Sequence, residues 1–183
     1  MLDTETFSRD LITFRSEGSG PSISITLAAL RNMERLALDC EDTETGGILV
    51  GRNAGRNVEV TDVSDAGPNA QQSSVHFVRD TEHCRKFLER CYRETGADYV
   101  GEWHTHVVRL RHLSAGDIRT LVEILIDPDY AFLSFAVFLV VVEDRKAELH
   151  VYIAERAGEE PFFRIEVVRL YKGPFPASTT EQP

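Results

Sequence analysis

The stretch that most constrains this chain is Tyr130–Val142, an apolar run of thirteen residues interrupted only by Ser134. A membrane-spanning helix needs roughly 20 apolar residues. The run is too short for that, and its richness in Val and Phe marks a buried strand. The run is followed by two more strand-like segments, Glu148–Ala154 and Phe162–Tyr171. Upstream, Gly47–Arg52 and Val58–Val63 read as a hairpin, and short strands are expected near Ser22–Ile25, around Val75 and Phe77, and over Tyr99–His106. The polar stretch Ala70–Ser74 between them reads as loop. Leu27, Leu30, Met33 and Ala37 recur at helical spacing behind a capping Thr26, and Cys84, Phe87, Leu88, Cys91 and Tyr92 do so behind Asp80 or Thr81. A third helix starts at Ser114 and ends near Asp127-Pro128. Strands and helices are intermixed without strict alternation. The fold class expected is therefore α/β of the α+β type, a mixed and mostly antiparallel sheet flanked by helices.

Composition narrows the function. With 183 residues, one domain is expected. A hydrophobic fraction of 42% with 27% charged residues excludes global disorder. Thirty acidic against twenty basic residues give a net charge of −10, which argues against nonspecific nucleic-acid binding, since that needs a basic surface. The N-terminal MLDTETFSRD lacks the basic and apolar regions of a secretory signal. Cys40, Cys84 and Cys91 are too few and too irregular for a disulfide scaffold, so a reducing, cytoplasmic setting is expected, with no membrane partner.

The chemistry concentrates in Gly101-Glu102-Trp103-His104-Thr105-His106, followed by Ser114 and Asp117. Alternate residues of a strand share a face, so His104 and His106 aim two imidazoles at one point. Neutral imidazole is a good zinc ligand. Asp117, in the first turn of the next helix, can return to complete a site of two His and one carboxylate. Three protein ligands leave a position for water, the layout of a catalytic rather than a structural zinc. Such a metal brings the pKa of its water to about 7 and polarises a carbonyl. A carboxylate is needed to move the proton, and a donor such as Ser114 to meet the developing oxyanion. Each piece has a plainer reading. The Ser-x-x-Asp spacing is also a helix capping box, Glu44 stands in an acidic turn with Glu41 and Asp42, and Arg109, Arg111 and His112 read as solvated loop residues. Glu102 shares the histidine face and is the rival for the role of base, or a partner fixing a His tautomer. Four fixed residues at fixed offsets should arise by chance on the order of once in several thousand chains.

The pattern H-x-H, seven residues, S-x-x-D resembles the signature of the JAMM metalloproteases, also called JAB or MPN-plus, here at His104, His106, Ser114 and Asp117. The segment Glu44-Thr45-Gly46-Gly47-Ile48-Leu49-Val50-Gly51 is similar to the family's upstream glutamate and Gly-rich strand. Tyr99-Val100-Gly101-Glu102-Trp103-His104-Thr105-His106 looks most like the stand-alone prokaryotic JAB proteins of CBASS and ubiquitin-like antiphage operons. The resemblance implies a curved mixed β-sheet flanked by helices. It implies one Zn2+ held by His104, His106 and Asp117, Glu44 as general acid and base, and Ser114 as oxyanion stabiliser. The implied activity is that of an isopeptidase acting after the C-terminus of a ubiquitin-like modifier, whose conjugates and E1-like and E2-like proteins would be partners. An extended tail could add a strand to a sheet edge beside the zinc, with Val107–Leu113 as the other wall. The alternatives are a noncatalytic MPN-type scaffold and a peptidase that trims a sulfur-carrier precursor. The family has Pro after the second His and often before the Ser; this chain has Val107 and Leu113. The expected organisation is an N-terminal extension over 1–21, the metalloprotease domain over 22–172 and a flexible tail over 173–183.

Overall fold

The computed structural model describes residues 10–16, 20–107, 110–130, 133–158 and 164–176. In chain order the elements are β1 (Leu11–Arg15), β2 (Ser22–Thr26), α1 (Leu27–Leu38), β3 (Gly46–Ala54), β4 (Asn57–Val63), β5 (Gln71–Ser73), β6 (His76–Val78), α2 (Thr81–Thr95), β7 (Asp98–His106), α3 (Ala115–Ile126), β8 (Ser134–Glu143), β9 (Lys146–Ala157) and β10 (Arg164–Pro174). Eight strands form one curved sheet in the order β1-β2-β4-β3-β7-β8-β9-β10, and β5 pairs with β6 in a separate hairpin. Only β2–β4 and β7–β8 are parallel in the large sheet. The mixed, mostly antiparallel sheet read from the sequence is what forms.

From Ser134 the apolar run becomes β8, buried through Val142, whereas Tyr130 and Leu133 ahead of it are exposed and residues 131–132 lie outside the described residues. A strand buried on both faces needs a layer on each side, and the helices supply them. On one face Leu30 and Met33 of α1 join Ile23, Val60, Trp103, Phe138 and Ile153 in one apolar core. On the other, Cys84 and Cys91 of α2 and Leu121 and Leu125 of α3 join Val50, Phe135, Val137 and Leu139 in a second. The helix limits follow from their caps. Thr26 Oγ1 accepts from the Ala29 N–H at 3.2 Å, and Asp80 accepts from His83 N–H at 3.1 Å. Gly96, at φ 70°, closes α2 in the left-handed region and donates to Tyr92 O at 2.8 Å. No helix among the described residues is long and apolar enough to cross a membrane.

Three expectations need correction. Gln71–Ser73 is a strand, not loop, held by β6 on one side and by the Glu44 N–H donating to Ser73 O on the other. Residues 173–176, expected to belong to a flexible tail, are ordered parts of the fold. β10 runs through Pro174, Phe175 is buried in the first core, and Arg31 donates to Pro176 O at 2.7 Å. Leu11–Arg15 of the expected extension is a strand of the large sheet, with Phe14 in the core. Residues 1–9 and 177–183 lie outside the described residues.

The site depends on how closely β3 passes β7. Gly46 stands opposite His104. A Cβ at Gly46 would lie 2.3 Å from Trp103 O and 2.8 Å from the Phe77 ring, so backbone would have to move. Replacing Gly46 with Ala is expected to lower the unfolding free energy by about 1–3 kcal/mol, as overpacking of a tight site does. Urea unfolding of the metal-free protein measures this.

Candidate metal centre

His104 and His106 extend from the same face of β7, with ring centroids 5.0 Å apart and planes inclined at 60°. Trp103 and Thr105 point the other way and are buried, as strand alternation requires. Trp103 Nε1 donates to Ser64 O at 2.9 Å, and Thr105 Oγ1 accepts from Thr45 N at 2.8 Å. The strand that carries the histidines is thus locked from behind.

Asp117 arrives from the first turn of α3. Ser114 caps this helix, its Oγ accepting from Asp117 N–H at 3.1 Å, while Asp117 Oδ2 accepts from Ser114 N–H at 2.6 Å. The capping box forms in full. It fixes the Asp117 rotamer and still leaves the carboxylate facing the histidines. Asp117 Oδ1 is 3.5 Å from His104 Nε2, and Oδ2 is 3.4 Å from His106 Nε2. Both exceed the usual N–H···O range of about 2.7–3.2 Å. His104 Nε2 is buried with no hydrogen-bond partner among the described residues.

That orphaned nitrogen tests whether a metal fits. Unpartnered buried polar atoms are rare in proteins and call for an explanation. Ligand atoms about 2.0–2.2 Å from a tetrahedral centre stand roughly 3.3–3.6 Å from one another, and each imidazole Nε2 stands at such a distance from one Asp117 oxygen, His104 from Oδ1 and His106 from Oδ2. One donor atom each from His104, His106 and Asp117 lies within 4.8 Å of the others. The His106 tautomer agrees. Its Nδ1 is 3.0 Å from Leu110 O, which can only accept, so Nδ1 carries a proton and Nε2 is the nitrogen left for a metal on the Asp117 side. The residues present suit a divalent metal with N/O ligands.

The charges are arranged to match. Burial alone would raise Asp117, but the two imidazoles and Ser114 hold it far below the ordinary carboxylate range. Burial disfavours the charged form of His106, yet Asp117 and the Leu110 carbonyl more than offset it and raise its pKa. Glu44 behaves oppositely. Burial raises its pKa, with the nearby imidazoles pulling it back only in part. Thr45 N–H bonds Thr105 Oγ1 and Thr105 N–H bonds Thr45 O at 2.7 Å, so the β3–β7 register continues past Gly46. This carries Glu44 close enough to His106 and His104 for both imidazoles to act on its charge.

Glu44, His104, His106, Ser114 and Asp117 all line one cleft of about 740 Å³. Glu102 lines it too, but its carboxylate is engaged by Arg79 and accepts from Tyr99 Oη at 2.7 Å. Its carboxylate is thus already partnered, and among the described residues it makes no hydrogen bond to either histidine. His112 is exposed, as expected of a loop residue. Arg111 is exposed, as expected, and also pairs with Glu143 and Glu148. Arg109 lies outside the described residues. Sequence reasoning missed the Leu110 carbonyl and the Arg79 contact. Neither has a sequence signal, because both depend on long-range packing.

The fold is an eight-stranded mixed sheet between helices, and its cleft holds a two-His, one-carboxylate cluster able to hold a metal ion, the layout of a metal-dependent hydrolase. Residues 26–164 match the prokaryotic homologues of the JAB domain, and the chain belongs to that family. It is 29% identical over 121 residues to a CD-NTase/cGAS isopeptidase of Enterobacter hormaechei, covering 65% of this chain and 67% of that one. It is 35% identical over 86 residues to a probable metalloprotease of Sinorhizobium fredii, covering 45% and 50%. The match thus spans between half and two thirds of these relatives. The solution structure of a protein from Desulfitobacterium hafniense shares the fold, with a TM-score of 0.55 at 22% identity over 79% of this chain and 89% of that one.

A raised carboxyl pKa has a defined effect on stability. With Glu44 shifted up on folding, the native state resists its ionisation. Its carboxylate therefore costs nothing below the unfolded pKa near 4, and stability falls as pH rises through the folded value. Replacing Glu44 with Gln in the metal-free protein is expected to raise stability at pH 7.5 and to change little at pH 4. Urea midpoints at the two pH values check the sign.

Proposed function

We propose that this chain is a zinc-dependent isopeptidase that cleaves after the C-terminus of a ubiquitin-like modifier. Its setting would be a bacterial conjugation or antiphage system with E1-like and E2-like partners. Family membership and the names of the relatives support a peptidase of the JAB type. The observation that carries the reading is the buried, unpartnered His104 Nε2 facing Asp117 beside His106, with a buried carboxylate, Glu44, in the same cleft.

The residues divide the work as follows. His104, His106 and Asp117 would hold the zinc. When bound, the metal supplies a Lewis acid for the scissile carbonyl and acidifies a water. Glu44 takes a proton from the attacking water and returns it to the leaving amine. A pKa lifted by burial brings it closer to the operating pH, which favours transfer in both directions. Ser114 Oγ accepts one backbone N–H from Asp117, which leaves its own O–H to donate to the developing oxyanion. The capping role and the proposed catalytic role of Ser114 therefore coexist.

The cleft suits an extended tail. β5 is tied to the Glu44 backbone through Ser73 O and through Gln72 Nε2, which donates to Glu44 O at 3.1 Å. This leaves β6 as the outer strand of the hairpin, at the cleft. Its free edge can add a substrate strand. Leu110 lines the opposite part of the cleft.

Turnover of a fusion between a ubiquitin-like protein and a reporter tests the assignment. Replacing Glu44 with Gln should lower kcat by roughly 10²–10⁴-fold, the range for loss of a general acid–base group, while metal content stays at the wild-type level. Replacing Ser114 with Ala should lower kcat with KM nearly unchanged. Unaltered turnover in Glu44→Gln would remove that residue from the mechanism.

A further inference from the structure

His106 is the last residue of β7, and the strand fixes where its Cα lies but not how its ring is turned. What turns the ring is the bond between Nδ1 and Leu110 O. Leu110 belongs to the Val107–Leu113 connection, which contains neither Pro nor Gly. No covalent restriction sets the backbone there. Something else has to keep this carbonyl in place.

The neighbouring residue does so. Arg111 contacts Glu143, the last residue of β8, and its Nη1 lies 3.4 Å from Glu148 Oε2 on β9. These two carboxylates sit on a stiff mount. β8 and β9 are joined by the two residues Asp144 and Arg145, at φ 51° and 60°, with Glu143 paired to Lys146. Positive φ at both positions marks the tight hairpin turn whose twist matches the strands. Glu148 is held further by His150 Nε2 at 2.6 Å, and the His150 side chain is fully buried. Burial lowers the pKa of His150, so it is neutral and its Nε2–H donates to Glu148. The register carries this support across the sheet, since His150 pairs with Leu139, and Leu139 with His104.

We propose that Arg111 is a positioning residue for the metal centre. By clamping its segment to the Glu143 and Glu148 carboxylates, it holds the Leu110 carbonyl on His106 Nδ1 and so aims His106 Nε2. The inference rests on the reading of His104, His106 and Asp117 as metal ligands. Outer partners that fix a ligand's tautomer are worth about 10–100-fold in metal affinity. A half-exposed ion pair adds little to global stability, so the clamp is expected to act on the ligand and not on the fold. The joint arrangement of one guanidinium with two carboxylates, one of them pinned by a buried imidazole, sets it apart from an isolated surface pair.

Two readouts test this on the full chain. Zinc affinity is measured by competition with a chromophoric chelator, and the His106 tautomer by 15N NMR of the metal-free protein. Arg111→Met and the double variant Glu143→Gln/Glu148→Gln should each weaken zinc binding by about ten-fold or more. Combining them should add little. The metal-free unfolding midpoint should stay near wild type, and Arg111→Lys should recover part of the loss. Metal-free Arg111→Met should show a mixture of His106 tautomers where the wild type shows Nδ1–H. Wild-type zinc affinity in Arg111→Met would overturn the inference while leaving the metal centre standing. Failure of the wild type to bind zinc would overturn the metal reading and with it the inference about aim. An unchanged His106 tautomer in Arg111→Met would overturn the clamp itself.

Discussion

The antiparallel pairing of β3 with β7 fixes where the site's side chains stand. Gly46 opposite His104 lets the two backbones approach closely, and Trp103 and Thr105 bond back to the Ser64 and Thr45 segments. A shift of one residue would turn His104 and His106 into the first core and bring Trp103 to the cleft, since strand faces alternate. It would also carry Glu44 away from His106. The parallel pairing of β7 with the wholly buried β8 holds the other side of the strand. Position at the site is therefore set by sheet hydrogen bonds and two apolar cores, with few long flexible side chains involved.

Within that frame the site places opposing electrostatic demands close together. Asp117 is stabilised as an anion by two imidazoles and by the backbone N–H of Ser114, the residue that caps its helix. Glu44, a short distance along the neighbouring strand, is held in a dry environment that resists its charge. Two carboxyls with pKa values driven in opposite directions fit the proposed division into a metal ligand and a proton carrier. Glu102, on the same face as the histidines, is occupied by Arg79 and Tyr99, which favours Glu44 for the proposed base. Ser114 serves the helix through its oxygen and keeps its hydrogen available.

Much of this was legible in the sequence, and the boundary is physical. His104 with His106 and Ser114 with Asp117 are local patterns, governed by strand alternation and helix capping, so spacing alone revealed them. Glu44 was different. It sits in an acidic turn, and its place at the site comes from a pairing between residues sixty positions apart. Only the family resemblance pointed to it. Gln71–Ser73 escaped because three exposed polar residues carry no alternation; tertiary pairing makes them a strand. Gly173-Pro174 fall in the expected tail, yet β10 is an edge strand, where Pro is tolerated because its missing N–H is not needed. Arg111 looked solvated because nothing local announces that a distant hairpin will hold Glu143 and Glu148 beside it.

The central claim is that His104, His106 and Asp117 form a metal centre. Elemental analysis of the purified wild-type chain beside His104→Ala tests it most directly. The account predicts about one zinc per wild-type chain, the fourth position being left to water, and little or none in the variant. A wild type that stays metal-free after incubation with zinc, or a His104→Ala variant that keeps its metal, would contradict it.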